Sequence, residues 1–156
     1  MDKIFWIEEG CLAGRCGPSV SPFDVAAMKK AGIRGILSLD KDEHALIKDL
    51  DPEIVTHLIH FPNSIPPSPE ETEEFKAHLP GAIEYVLSWV SQKKGAIIVH
   101  CHAGCDRTGG VLTGYLAKTR GIPPTTALNE VRKANPNAIS AGGYEEMMLK
   151  ILNSWV

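Results

Sequence analysis

The segment Val99-His100-Cys101-His102-Ala103-Gly104-Cys105-Asp106-Arg107-Thr108-Gly109 lies between two different hydrophobic patterns. A short apolar run, Ala96-Ile97-Ile98-Val99, precedes it, and from Val111 apolar residues recur at helical spacing. That order reads as a buried strand, a tight loop and a helix N-terminus. Cys101 opens the loop and Arg107 closes it, with five residues between them. Five residues can curl so that their backbone N–H groups share one centre. A helix N-terminus already favours an anion there, through unpaired N–H groups and the aligned peptide dipoles. The same field favours a thiolate, and cysteines in such settings have pKa values of about 3.5–7.5. A guanidinium fork adds two parallel hydrogen bonds to phosphate oxygens. Nucleophile, anion cradle and fork in one loop point to attack on phosphorus.

Composition sets the frame around this loop. The 156 residues are 44% hydrophobic and 22% charged, as expected of one globular domain over residues 1–156. The net charge of −3 argues against general affinity for nucleic acid or an anionic membrane. No apolar run approaches the ~18 residues that span a bilayer. Met1-Asp2-Lys3-Ile4-Phe5-Trp6 lacks the apolar core of a signal peptide, so a reduced cytoplasmic location is expected. A monomer is also expected. Cys105 reads as a loop-packing residue, since the curl of the loop separates its side chain from Cys101. Cys11 and Cys16 form a lone C-x4-C pair and read as structural rather than as metal ligands.

Patterning along the chain predicts alternating strands and helices. Strands are expected over residues 3–7, 11–14, 33–39 and 54–61, the last rich in β-branched residues. Ser21-Pro22 predicts a helix start, with a stop near Gly32, and 42–50 suits a short helix. Ser68-Pro69-Glu70-Glu71 is a capping box for a helix to Gln92, which Pro80-Gly81 is expected to kink or split. Glu70 and Glu71 serve that cap. Later helices are expected over 111–120 with Gly121 as the stop, over 125–134 capped by Thr125, and over 144–155. Strands alternating early with helices and helices dominating late imply an α/β three-layer sandwich, a central sheet flanked by helices. The reactive loop belongs at the carboxyl edge of its strand, where such sheets place ligands.

His-Cys-x-x-Gly-x-x-Arg-Thr-Gly, here His100 to Gly109, resembles the phosphate loop of the cysteine-dependent protein tyrosine phosphatases. The similarity runs along most of the chain and is greatest to the small atypical dual-specificity phosphatases. Phe5-Trp6-Ile7, Gly10-Cys11-Leu12-Ala13-Gly14, Gly32-Ile33 through Ser38-Leu39, and the loop from Phe61 to Ser68 fall in the family's order. The resemblance implies a mostly parallel central sheet and hydrolysis of phosphomonoesters, in phosphotyrosine and phosphoserine/threonine proteins, through a cysteinyl phosphate. Cys101 is then the nucleophile. Backbone N–H groups of His102, Ala103, Gly104, Cys105, Asp106 and Arg107 bind phosphate, and Arg107 holds the transition state. Thr108 stabilises the thiolate, His100 orders the loop, and His102 points outward toward substrate. No metal or cofactor is implied, and the partner is a phosphorylated protein or a small phosphorylated molecule.

One family position is altered. The aspartate that protonates the leaving oxygen precedes the long helix, and alignment on Pro66-Pro67-Ser68 places Asn63 there. An asparagine donates no titrating proton. Asp106 is one candidate acid, as an Asp-Arg-Thr ending also occurs in phosphoinositide phosphatases and some bacterial tyrosine phosphatases; its other role is to bind Arg107 or loop amides. Alternatively the substrate is a phosphoinositide, or one with a good leaving group such as an RNA 5′-triphosphate, or the protein binds phosphate and turns over poorly. The water-positioning glutamine of many relatives is also missing, since the sole glutamine is Gln92. Asn135, Asn137, Asp106 or a backbone group is expected to take that part.

Overall fold

A five-stranded sheet in the order β1-β2-β5-β3-β4 carries the fold of a computed structural model that describes residues 3–155. β1 is Phe5–Glu8, β2 Leu12–Arg15, β3 Ile33–Ser38, β4 Val55–Leu58 and β5 Ala96–His100. Only β1 pairs antiparallel, across the Gly10 turn; β2, β5, β3 and β4 run parallel. β5 is the central strand, and all five of its residues are buried. That is why its sequence is a continuous apolar run instead of an alternating one.

Alternation along β5 divides the core. Ala96 and Ile98 face a smaller cluster with Met28, Ile33, Ile36, Ile47 and Ile54. Met28 comes from α1 (Val25–Lys30), while α2 (Lys41–Ala45) follows β3. Ile97 and Val99 face the larger cluster, built from α3 (Pro69–Gln92), α4 (Asp106–Arg120), α5 (Pro124–Ala134) and α6 (Tyr144–Asn153). Helices therefore cover both faces of a mostly parallel sheet, the three-layer α/β sandwich that the patterning implies.

Several boundaries differ from the sequence reading. α3 is one helix of 24 residues with Pro80 inside it, not two. Pro80 removes one N–H from the ladder, but it lies on the exposed face, where water can serve the orphaned carbonyl. Phe75, Leu79, Ala82, Ile83, Val86 and Trp89 keep the other face buried across the break. The first helix is capped by Asp24, whose side chain accepts the Ala27 N–H at 3.0 Å, and not by Ser21. Thr125 caps nothing, because Pro123 occupies the N-cap of α5. The short helix after β3 ends at Ala45, and β4 spans only Val55–Leu58. α4 starts at Asp106, five residues ahead of the apolar pattern at Val111.

Candidate active site

The parallel register brings three strand ends level. His100 at the end of β5 pairs with Arg15 of β2 and with Ser38 of β3. The loop from Cys101 to Cys105 leaves this edge and turns into α4. Its carbonyls are held from outside. His102 C=O accepts the Gly17 N–H at 2.8 Å, Gly104 C=O accepts the Asn135 side-chain N–H at 3.2 Å, and Cys105 C=O accepts the Ile139 N–H at 3.1 Å. A trans peptide points its N–H opposite its C=O, so carbonyls fastened outward leave amides turned inward. Gly104 has φ +78°, and a Cβ there would fall 2.6 Å from the Arg15 carbonyl. Only glycine meets both demands.

Inside this curl lies Cys101, 2% exposed. Its Sγ receives the Gly104 N–H at 3.3 Å and the Thr108 hydroxyl at 3.1 Å. His100 is fully buried and donates Nδ1–H to the Cys101 carbonyl at 3.1 Å, since a carbonyl can only accept. That tautomer leaves Nε2 to accept the Ser38 hydroxyl at 2.7 Å. Burial lowers the His100 pKa to about 4, so the ring is neutral at physiological pH. Its place is behind the loop, where it fixes the Cys101 peptide.

Arg107 is 2% exposed and spends Nη1 on Asp40, 2.9 Å to Oδ2, and on the Phe61 carbonyl at 3.4 Å. The Asp106 carboxylate makes no hydrogen bond or ion pair with the Arg107 guanidinium. Its Oδ1 accepts the Ala141 N–H at 3.0 Å, which draws the segment before α6 against the loop. Asn135 is likewise engaged in bracing, and Asn137 donates its backbone N–H to Asn135 Oδ1 at 3.2 Å. Cys105 packs beside them, and burial, with the nearby charges of Cys101 and Asp106, pushes its thiol up against a smaller lowering by Asn135. All four cysteines are free thiols. Among the described residues no cluster of His, Cys, Asp or Glu forms a metal site, and no helix is long and apolar enough to cross a membrane.

Asn63 is exposed in the 62–67 segment, and that segment is tied down. The Ser64 carbonyl accepts the Tyr144 hydroxyl at 2.9 Å, and the Ser64 hydroxyl bonds the Glu71 carboxylate. Glu71 also completes the capping box with Ser68. His102 is exposed, with Nδ1 3.4 Å from Ser19 Oγ and 3.6 Å from Glu43 Oε2.

Sequence reasoning missed α2 as part of the site. Asp40, Glu43 and His44 each reach toward the loop. Asp40 binds Arg107, Glu43 binds Ser19 and approaches His102, and His44 Nδ1 lies 3.3 Å from Ser38 Oγ. Glu43 is 5% exposed; burial alone would raise its pKa, but the Ser19 hydroxyl and N–H and the His102 ring outweigh it and lower it. Arg15 is also buried, with Nε on the Cys16 carbonyl at 2.8 Å and its guanidinium 4.1 Å from the Phe23 ring centre. The one signal for these residues was their place just after strands that end at the same sheet edge.

This geometry agrees with the comparisons to known proteins. The family model described as dual specificity phosphatase, catalytic domain, matches residues 21–153. Human dual specificity protein phosphatase 12 is 25% identical over 118 residues, 76% of this chain and 33% of that protein. The chain thus spans about a third of the length of that relative. Among solved structures, human DUSP28 is similar with a TM-score of 0.78 at 17% identity, covering 99% of this chain and 97% of that one. Tk-PTP in its active form gives 0.71 at 20% identity, with 97% of each chain covered. With the family matched over residues 21–153 and the His100–Gly109 segment folded around Cys101, the chain belongs to the dual specificity phosphatases, by way of their catalytic domain.

Proposed function

We propose that the chain hydrolyses phosphate monoesters through a cysteinyl phosphate on Cys101. One observation carries this reading: the Cys101 sulfur is nearly buried and receives two donors, Gly104 N–H and Thr108 O–H, inside the loop that Arg107 closes. The thiolate attacks phosphorus, the S–P bond forms and the ester P–O bond breaks. The inward amides and the Arg107 fork hold the equatorial oxygens through a loose transition state. Water then attacks the thiophosphate, releasing inorganic phosphate, and Thr108 stabilises the departing sulfur. His100 acts from behind as a neutral brace.

Phosphorylated proteins are the proposed substrates, and Asn63 sets an order among them. The leaving oxygen must take its proton from solvent unless another acid is near. Asp106 Oδ1 is already engaged by the Ala141 N–H, which ties that carboxylate to the segment before α6. A phenol with a pKa of about 10 leaves unaided far more readily than an aliphatic alcohol. Phosphotyrosine is therefore the preferred ester, ahead of phosphoserine and phosphothreonine. The same observation favours a second reading, hydrolysis of phosphoanhydrides such as an RNA 5′-triphosphate, whose leaving group needs no proton. A reducing compartment such as the cytoplasm suits the free thiols.

The test is hydrolysis of p-nitrophenyl phosphate by wild type, Cys101→Ser and Arg107→Lys, followed by a panel of phosphopeptides and a triphosphate-ended RNA. Turnover that disappears in Cys101→Ser is the expected result, and turnover unchanged by that substitution sinks the proposal. A preference for the RNA over phosphotyrosine peptide replaces the first reading with the second.

A further inference from the structure

We propose that Asp40 is a positioning residue that aims the phosphate-binding edge of Arg107. The inference rests on the reading of Arg107 as the arginine that binds substrate phosphate.

A guanidinium carries five N–H donors in one plane. Both protein contacts of Arg107 go to Nη1: Asp40 Oδ2 at 2.9 Å and the Phe61 carbonyl at 3.4 Å. Among the described residues Nε and Nη2 have no acceptor, so one complete edge of the fork is unspent. That edge supplies the two parallel N–H groups of a bidentate phosphate contact. A long side chain with free rotamers would present the edge only part of the time. Fixing Nη1 from behind sets both the plane and its direction.

Asp40 can do this because it is itself immobilised. Its Oδ1 caps α2, accepting the Asp42 and Glu43 N–H groups at 2.9 and 3.0 Å. The carboxylate cannot rotate without breaking those bonds, so Oδ2 stays on Arg107. Burial raises its pKa, but the Glu43 and Asp42 amides and the Arg107 cation outweigh burial and lower it, which keeps the partner anionic. Phe61, the other acceptor, follows β4. The loops after β3, β4 and β5 thus meet on one guanidinium, and each fixes it relative to the nucleophile.

The alternative is that Asp40 is only a helix cap that happens to touch Arg107. Asp40→Ser separates the two, because serine caps helices well but offers no carboxylate. With p-nitrophenyl phosphate, a positioning role predicts that kcat falls about 10–100-fold while KM changes little, since the lost alignment is felt in the transition state. Loss of the ion pair also lowers the melting temperature, so the kinetics are read well below that transition, where circular dichroism shows the variant folded. In an Arg107→Lys background the same substitution should add nothing further, since both changes then remove one interaction. A full kcat in Asp40→Ser overturns the inference, as does an additive loss in the double variant. Asp40→Glu, which keeps the charge at the cost of the cap, should recover part of kcat; no recovery counts against the carboxylate. Wild-type turnover that is insensitive to Cys101→Ser is a different failure, that of the phosphatase reading itself.

Discussion

His100 shows how much of this site is set by burial. In the unfolded chain a histidine titrates near 6.5, and in the fold its pKa is lowered to about 4 by desolvation. The folded state therefore binds its proton less readily than the unfolded state. Stability from neutral His100 is complete above about pH 6.5 and is lost as pH falls through about 4. The difference amounts to about 3 kcal/mol at 1.36 kcal/mol per unit. Asp40 and Glu43 are also held below their ordinary values, so their losses fall at lower pH, under about 4.5. Urea unfolding across pH 7 to 4.5 should show a falling stability that His100→Asn reduces, the remainder coming from His44, whose pKa burial also lowers. A wild-type curve flat over that window would refute the assignment. Thr108 gives a second residue-scale prediction. Its hydroxyl donates to the sulfur at 3.1 Å, and a bond to a charged group contributes about 1.5–3 kcal/mol. Thr108→Val should slow breakdown of the cysteinyl phosphate about 10–100-fold, read as a larger burst followed by a slower steady state. Cys101, Arg107 and Thr108 were legible because they share one short motif. Asp40 was not, because its pairing with Arg107 spans 67 residues and no local pattern encodes it.

Among the elements, α3 and α4 show where patterning works and where it stops. The apolar spacing of α3 continues across Pro80, and packing on that face holds the helix together. A proline in an exposed helix interior costs about 3 kcal/mol relative to alanine, so Pro80→Ala should raise stability by about 1–3 kcal/mol. Denaturant unfolding would register this as a higher midpoint with an unchanged slope; an unchanged midpoint would mean that the helix has already relaxed around the ring. α4 departs from its pattern in the opposite way. Asp106 to Gly110 carry no apolar stripe, yet they are helical and Arg107 to Gly110 are buried. Gly109 and Gly110 leave room there for the side chains of Ile139 and Met148, which would lie 2.8 and 2.5 Å from added Cβ atoms. Patterning by hydrophobic side chains cannot see a helix start that is buried through glycine and through the polar residues of a phosphate loop.

At the scale of the whole molecule, a parallel sheet delivers three loops to one edge, and what each loop carries decides the reaction. Fold class and the identity of this edge were legible because a strand–loop–helix order has few architectures open to it. The chemistry of the 62–67 loop is the open variable. Tyr144 and Glu71 fasten that loop at Ser64, next to position 63. A side chain at 63 is therefore presented from a fixed backbone, and a carboxylic acid placed there should not need a mobile lid to reach the leaving oxygen. Positioned proton donors contribute about 10²–10⁴ in rate where the leaving group is poor, and little where it is good. Asn63→Asp should thus raise kcat for phenyl phosphate or a phosphoserine peptide by about 10-fold or more, and for p-nitrophenyl phosphate only slightly. The rate on the poor leaving group should also gain a falling limb as pH rises and the new acid ionises. If neither change occurs and Asp106→Asn abolishes turnover of the poor leaving group instead, then the proton comes from the phosphate loop. In that case the Oδ2 of Asp106 would be the donor atom, since Oδ1 is tied to the Ala141 N–H.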